Sequence, residues 1–321
     1  MDKQEFPTKA VNQAFFEKMN SDDPGLRKEA QQAVNDFTRI KMREDGFWRK
    51  ILPPQNLSND ELDRQVDTDK NVKIVDKEPD SPAAASIPYA TLPMNKYIRG
   101  PRYRVMFDRI VTPRFTKDVA ELRNWDMDIR QVLSDNAIKD MLAEEDGKAV
   151  RSINSLLLGA DVVIPETGVS QWRTLSGGIT RDTVNEALKI LPQSTGHLEP
   201  ATLLVNNVFV KDVQKWGRDE VGGDLSEEIV RNGFAERVLL GARWIITIKR
   251  DLVPDATMFQ FAEPKFLGKF FVLEDTTMYI DKRAYFLEFF AYEEIGSTIG
   301  NISAVARVDF TGGISSDVWR Y

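Results

Sequence analysis

Apolar side chains recur every three or four residues over residues 24–43, which predicts an amphipathic helix. Asp23 is placed to cap this helix, and Pro24 occupies its first position. A shorter helix is predicted over residues 9–19. Because an isolated helix as long as that at 24–43 is marginally stable in water, the apolar stripe of this longer helix needs a partner surface. That surface lies in the same chain or on a second subunit, and the extended segment that follows favours the second subunit. The stripe consists of Leu26, Ala30, Ala33, Val34, Phe37 and Ile40.

Residues 53–104 show little apolar periodicity and are predicted to be extended. Proline removes a backbone donor and favours extended backbone at the residue before it. Short β-like runs lie at residues 71–75 and 96–107. A loop of roughly fifty residues is unusual inside a compact domain, so we expect a two-stranded projection that lies across another subunit. The prolines are Pro53, Pro54, Pro79, Pro82, Pro88, Pro93 and Pro101.

A second helical pattern covers residues 126–158. Asp126 or Trp125 is expected to mark its start, and Gly159 with Pro165 its end. Gly147 lies inside it and costs up to ~1 kcal/mol relative to alanine, which allows a bend. A continuous helix would be about 50 Å long at ~1.5 Å per residue. We interpret a helix of this length as a structural strut.

Helices and short strands alternate from residue 179 onward. Thr180 is predicted to cap a helix that runs to Leu191, with Ile179 and Val184 as a hydrophobic staple. An apolar strand at residues 201–207 precedes another helix, and β-like runs continue to residue 310. This interleaving predicts an α+β fold and not a doubly wound parallel sheet.

The composition excludes several kinds of chemistry. Of 321 residues, 42% are hydrophobic and 29% are charged, which is typical of a globular chain. The absence of cysteine excludes disulfides, thiolate nucleophiles and cysteine metal ligands. The one histidine, His197, is better explained as a surface-loop residue than as a general base or metal ligand, because no second histidine or cysteine could share that work.

The glycine pairs at 177–178, 222–223 and 312–313 match neither the phosphate-loop nor the dinucleotide fingerprint. No G-x-S-x-G turn is present either. We therefore predict that the protein is not an enzyme, with no catalytic residues, no cofactor and no metal site.

Opposite charges are concentrated in two segments, while the net charge of the chain is −7. Residues 60–80 hold eight acidic and four basic residues, and residues 96–117 hold seven basic residues against Asp108 alone. The basic segment also contains aromatic residues, so it could bind nucleic acid. Alternatively, it meets an acidic neighbour in the same chain or on another copy, and the acidic overall charge favours this second interpretation.

Residues 201–310 carry the most specific sequence pattern, in the runs ATLLVNNVFVKDVQKWG, LVPDATMFQFAEPKFLG and AYFLEFFAYEEIGSTIGNISAVARVDF. Together with the arm, projection and long helix before them, they resemble the major capsid proteins of tailed double-stranded DNA bacteriophages. The resemblance covers nearly the whole chain in order and implies the HK97-like capsid fold, which is α+β.

The resemblance also implies a division into parts. Residues 1–52 would be the N-terminal arm and residues 53–108 the extended β-hairpin called the E-loop. The peripheral (P) domain would comprise residues 109–178 and 263–321, including the spine helix at 126–158. The axial (A) domain would comprise residues 179–262.

The implied function is self-assembly into pentamers and hexamers that form an icosahedral shell around packaged double-stranded DNA, contacted non-specifically. Implied partners are scaffolding, portal and decoration proteins, with no membrane. The implied location is the virion capsid, assembled in the host cytoplasm. Because the sequence begins at Met1, we expect the scaffolding protein to be separate.

Interface residues are predicted from three features: the charged segments, the apolar stripe, and the A-domain loops expected near the capsomer axes. They are Arg99, Arg102, Arg104, Asp67, Asp69, Phe37, Trp216, Arg218 and Asp219.

Two other functions stay open. An encapsulin-type compartment shares the fold and holds enzyme cargo in place of a genome, although the extended arm argues against it. A soluble enzyme or DNA-binding protein would use the basic segment at 96–117 and bind DNA in a salt-sensitive way.

Overall fold

A computed structural model describes residues 8–21, 23–32, 46–63, 69–77, 84, 86–93, 95, 100–122, 129–159, 171–194, 196–216 and 238–312. Its helices are α1 (Thr8–Asn20), α2 (24–32), α3 (Phe47–Ile51), α4 (Val119–Leu122), α5 (Ile129–Gly159), α6 (Arg181–Leu188), α7 (Asn207–Val213) and α8 (Pro264–Leu267). Its strands are β1 (Gln55–Asn56), β2 (Val72–Asp76), β3 (Arg102–Met106), β4 (Asp108–Val111), β5 (Phe115–Asp118), β6 (Trp172–Ser176), β7 (Thr202–Asn206), β8 (Val238–Leu239), β9 (Ala242–Thr247), β10 (Thr257–Phe261), β11 (Gly268–Arg283), β12 (Phe286–Ile299) and β13 (Val305–Thr311).

Six of these strands form one mixed sheet in the order β6–β13–β10–β7–β9–β8. The pairs β6–β13 and β7–β9 are parallel, and the other neighbours are antiparallel. Every residue of β7 and β10 is buried, because helices cover both faces of the sheet. Leu203 and Val205 face the cluster that contains α6 and α7, whereas Leu204 faces the cluster that contains α3 and α5. Two-sided burial explains why neighbouring positions of these strands, such as Leu203 and Leu204, are apolar without alternation.

The second sheet is built on the long hairpin of β11 and β12, with β1 on one side and β4 and β5 on the other. Burial alternates along β12, as expected for a strand with one face on the core. Leu287, Phe289 and Ala291 pack against α1 and α5. The hairpin turn places Ala284 in the left-handed region, with a φ of 53°.

Helix α5 connects the two sheets. Its first half contributes Ile138 and Met141 to the cluster of α1, β11 and β12, and its second half contributes Val150 and Ile153 to the cluster of α3 and the six-stranded sheet. The helix continues through Gly147 without interruption. The predicted long helix is therefore confirmed over Ile129–Gly159, while its expected start near Asp126 lies outside the described residues.

The α+β prediction is confirmed, and so are the predicted strands between residues 201 and 310. The capped helix is shorter than expected: Thr180 caps α6, but the helix ends at Leu188 and residues 189–193 form turns. The six-stranded sheet takes β6 and β13 from outside the predicted A domain at 179–262. The division into arm, E-loop, P domain and A domain stays a prediction.

The described part of the first apolar stripe packs within the chain. Ala30 is buried with Phe15 and Met19 of α1 in the cluster that includes β11 and β12. Leu26 is 37% exposed. The same-chain alternative thus holds for Ala30, while the end of the predicted helix, including Phe37, lies outside the described residues.

Gly296 permits β3 to lie close against β12. A Cβ at this position would lie 2.9 Å from the carbonyl oxygen of Met106 and 3.0 Å from Val105 Cγ1. We expect Gly296→Ala to reduce the free energy of unfolding by about 1–3 kcal/mol, because backbone must move to make room. Urea unfolding measures this change.

Gly100→Ala is the matched control, because nothing lies within 4 Å of a Cβ built at Gly100. It should change the free energy of unfolding by less than about 0.5 kcal/mol. Equal urea midpoints for Gly296→Ala and the unsubstituted chain would show that the close approach is not required.

Candidate assembly surface

The two strands that the sequence predicts for the projection, β2 and β3, form an antiparallel pair, and the name projection is kept here for this pair and the described residues between its strands. Val72 pairs with Met106 and Asp76 with Arg102. This pair forms its own two-stranded sheet. The E-loop assignment of this hairpin stays a prediction.

The described residues between β2 and β3 expose large apolar side chains, which we call the apolar tip: Ile87, Tyr89 and Leu92. Their exposed fractions are 45%, 104% and 91%. Neighbouring apolar side chains with this exposure are typical of surfaces that bind another protein. The apolar tip is therefore a candidate for contact with a partner.

The base of the projection is held firmly in the chain. Val105 and Phe107 are buried with Phe271 in a small core cluster. Asp108 accepts from Lys70 Nζ at 2.7 Å and from Lys148 Nζ of α5 at 2.8 Å. These two hydrogen bonds, from Lys148 and from Lys70, lower the pKa of Asp108 below its ordinary value. The projection thus extends from a fixed base.

The acidic and basic segments meet within the chain across β2 and β3. Arg102 Nε lies 2.7 Å from Asp76 Oδ1, with the two side chains 68% and 76% exposed. Exposed pairs of this kind contribute at most about 1 kcal/mol. Farther along the basic segment, Arg109 pairs with Glu294. The same-chain alternative therefore accounts for Arg102 and Arg109, and contact with another copy stays a prediction.

Three other predicted interface residues have different surroundings. Arg104 lies on β3, and its side chain lines a cavity of about 310 Å³ with Lys148 of α5. Asp69 is exposed ahead of β2. Trp216 follows α7, packs against the core cluster there, and donates from Nε1 to the Ile179 carbonyl at 3.1 Å. This contact gives Trp216 a role inside the subunit.

The four predicted residues that the structure describes do not form one site. Arg102 and Arg104 lie on β3, whereas Trp216 packs against the core cluster that contains α6 and α7. The remaining predicted residues lie outside the described part of the chain: Arg99, Asp67, Phe37, Arg218 and Asp219.

A buried ionic cluster, which we call the Arg49 socket, was missed by the sequence analysis. It consists of Arg49, Glu145, Asp146, Lys249 and Glu293. Arg49 donates from Nε and Nη2 to Glu145 and from Nη2 to Glu293 at 2.9 Å. The three side chains are 3%, 1% and 0% exposed, respectively. The socket joins α3, α5 and β12.

Asp146 and Lys249 complete the socket. Asp146 Oδ1 accepts from the Trp48 backbone N–H at 3.1 Å, and Asp146 Oδ2 lies 2.6 Å from Lys249 Nζ. The sequence did contain a signal for this cluster. Glu145 and Asp146 lie four residues after Met141 and Leu142, so they interrupt the apolar stripe of α5 with two acids.

Burial shapes the protonation of the socket. It raises the pKa of Glu145 to about 7 and also raises the pKa values of Glu293 and Asp146, because the charged forms lose solvation. Burial alone would lower the pKa of Arg49, but the ion pairs with Glu145 and Glu293 outweigh it and raise that pKa. Arg49 therefore stays charged.

The described residues contain no group of three or more histidine, cysteine, aspartate or glutamate side chains arranged to hold a metal ion. His197 is exposed, and its Nδ1 lies 3.1 Å from the Pro192 carbonyl. Within the described ranges, no helix has the length and apolar character that a bilayer span requires.

Comparison with known proteins identifies the fold. No protein-family model matches the chain. No curated protein matches it either. Solved structures do match, along most of the chain.

The bacteriophage PhiM1 mature capsid has 12% identity and a TM-score of 0.54, over 84% of this chain and 88% of that one. The capsid of the cyanophage P-SCSP1u has 11% identity and a TM-score of 0.55, over 84% and 89%. The virus-like particle from Pyrococcus furiosus has 13% identity and a TM-score of 0.51, over 88% and 100%. The chain thus has the HK97-like capsid fold.

Replacing Arg49 tests the socket. Arg49→Ala would leave Glu145 and Glu293 buried without their shared cation, so we expect the free energy of unfolding to fall by about 3–5 kcal/mol. Guanidinium chloride unfolding, followed by tryptophan fluorescence, measures the change.

The control is Arg151→Ala, which removes an exposed cation from α5, the helix that carries Glu145, and its pairing with Glu144. Its cost should stay below about 1 kcal/mol. If Arg49→Ala costs no more than Arg151→Ala, the socket does not hold α3 in place.

Proposed function

We propose that this protein is a major capsid protein that self-assembles into pentamers and hexamers of an icosahedral phage shell around double-stranded DNA. The likeness to phage capsid structures over more than four fifths of both chains carries this proposal. A shell protein needs no reacting groups, and no catalytic activity forms part of the proposal. The proposed location is the virion capsid.

The apolar tip supports assembly with other copies of the chain. Tyr89 and Leu92 are almost fully exposed on a projection whose base is fixed. Covering such side chains in an interface would remove apolar surface from water, at about 25 cal/mol per Å². We propose that the tip packs against a neighbouring subunit.

The rigidity of the subunit also suits a shell. Helix α5 packs against both sheets, and the Arg49 socket attaches α3 to its middle. Because the chain has no cysteine, no disulfide would join the subunits, and a standard-size interface between them would bury roughly 1,600 Å². A subunit that keeps its shape retains the geometry of these interfaces.

The finer parts of the proposal extend to partners and location. Scaffolding, portal and decoration proteins would take part in assembly in the host cytoplasm, and packaged DNA would be contacted through its phosphates without sequence preference. The arm, E-loop, P domain and A domain would occupy the residue ranges predicted from the sequence.

An encapsulin-type compartment is the second candidate. The likeness to the Pyrococcus furiosus virus-like particle covers 100% of that chain and favours this alternative. The contents of purified particles distinguish the two functions: a phage shell packages DNA, whereas a compartment holds enzyme cargo. A DNA-binding protein is less well supported, because Arg102 and Arg109 are paired with acidic residues of the chain.

Electron microscopy of the purified protein tests self-assembly directly. We expect closed shells or hexameric sheets. A monodisperse monomer or small oligomer, across protein concentrations and ionic strengths, would contradict a shell function of either kind.

The apolar tip can be tested without disturbing the core. We expect the double variant Tyr89→Ser with Leu92→Ser to change the free energy of unfolding by less than about 0.5 kcal/mol, because both side chains are exposed in the subunit. Shell yield, measured by sedimentation and microscopy, should fall sharply.

Leu158→Ser is a matched control, since Leu158 is a large apolar residue with 64% exposure at the end of α5. It should leave the shell yield close to that of the unsubstituted chain. Normal shells from the tip variant would show that the tip does not form an interface.

A further inference from the structure

The charges of the Arg49 socket do not balance when every group is ionised. Its carboxylates are Glu145, Asp146 and Glu293, and its cations are Arg49 and Lys249. Three negative charges would thus face two positive charges at a buried site. An uncompensated charge is costly away from water, and a buried carboxyl group commonly takes up a proton instead.

The surroundings of Glu293 add to this imbalance. Glu293 on β12 faces Arg49 on α3, Glu145 on α5, and Asp275 and Thr276 on β11. Asp275 contributes a further negative charge. The cation that pairs with Glu293, Arg49, is shared with Glu145.

The two oxygen atoms of Glu293 have different partners. Oε2 accepts from Arg49 Nη2 and from Thr276 Oγ1, each at 2.9 Å. Oε1 is buried and accepts no hydrogen bond from the described residues. In Glu145, by contrast, both oxygens accept from Arg49. A buried carboxylate ordinarily accepts at both oxygens, as Glu145 does. An ionised Glu293 would place part of its charge on an oxygen that no described donor contacts, and the neutral acid removes that charge.

We propose that Glu293 is held as a neutral carboxylic acid, with its proton on Oε1, and that this proton makes the attachment of α3 to α5 and β12 dependent on pH. With the proton present, two carboxylates balance two cations in the socket. When the proton leaves, the negative charge on Glu293 repels Glu145 and Asp275. This repulsion weakens the attachment of α3 through Arg49.

The direction of the pH dependence follows from linkage. Burial raises the pKa of Glu293 in the attached state. In the detached state a glutamate exposed to water has its ordinary pKa of about 4.3. The attached state therefore keeps the extra proton from about pH 4.3 up to the raised pKa of Glu293, and attachment weakens as pH rises through that window. The equilibrium constant for detachment should rise by up to about tenfold per pH unit there, and level off above it.

Hydrogen exchange on the purified full-length subunit tests this proposal. The backbone amides of α3 and its cap, including the bond from Leu52 N–H to the Trp48 carbonyl, report attachment. Exchange is measured from about pH 5 to about pH 8, above the ordinary glutamate pKa of about 4.3, and is corrected with the unfolded chain at each pH. We expect protection of these amides to fall as pH rises towards neutrality. Constant protection across this range would overturn the proposal.

Two glutamine variants assign the effect. Glu293→Gln supplies a neutral side chain of the same shape, so α3 should stay protected at every pH. Glu145→Gln weakens the two-pronged pairing with Arg49, so protection should be reduced at every pH. The control Glu144→Gln, at an exposed position of α5, should behave like the unsubstituted chain. An unchanged pH dependence in Glu293→Gln would overturn the proposal.

A direct measurement covers the case in which Glu293→Gln fails to fold. Infrared spectroscopy of the unsubstituted chain labelled with carbon-13 glutamate detects a protonated carboxylic acid by its carbonyl band. The band should be present near pH 6, above the ordinary glutamate pKa of about 4.3, and should disappear on the alkaline side. Its absence near pH 6 would overturn the proposal. These measurements use unassembled subunits, so their outcome is separate from whether the protein forms shells.

Discussion

The seating of Arg49 between Glu145 and Glu293 is the interaction on which the rest of this subunit depends. One guanidinium group joins α3, the middle of α5 and the long hairpin of β11 and β12. Arginine suits this position because its planar group donates several hydrogen bonds in fixed directions and keeps its charge when buried. A buried ion pair is weak evidence of high stability, since both charges lose solvation. Its effect here is geometric: α3 is held against α5 where the two core clusters meet.

Helix α5 gives that attachment its importance. Its first half packs in the cluster with α1 and the β11–β12 hairpin, and its second half in the cluster that reaches the six-stranded sheet, so one continuous helix connects two of the core clusters. The projection is attached to the same helix through Asp108 and Lys148, while its apolar tip is exposed. A rigid body with an exposed apolar projection is well suited to repeated contact with copies of itself. This arrangement, together with the likeness to capsid structures, supports the proposed shell function.

Patterns along the sequence predicted much of the fold, because each depends on neighbours only a few residues away. The helical spacing of apolar residues predicted α5, the short apolar-rich runs predicted β7 and β10, and the cap at Thr180 predicted the start of α6. The candidate site was predicted less well. Trp216 has a partner inside the subunit, and Arg102 pairs with Asp76. Charge and aromatic content along the sequence do not show which side chains already have partners in the folded chain.

The sequence by itself determined the class of fold, the long helix and the absence of cysteine chemistry, since local propensity, periodicity and composition decide these features. Only the tertiary structure decided which residues meet across large separations in the chain. Arg49 and Glu293 are 244 positions apart, and Gly296 lies against β3, which is also distant from it in the sequence. The socket forms because packing of α3, α5 and β12 brings these groups together away from water. Burial then shifts the pKa values of these groups, so their protonation states do not follow from the residue types alone.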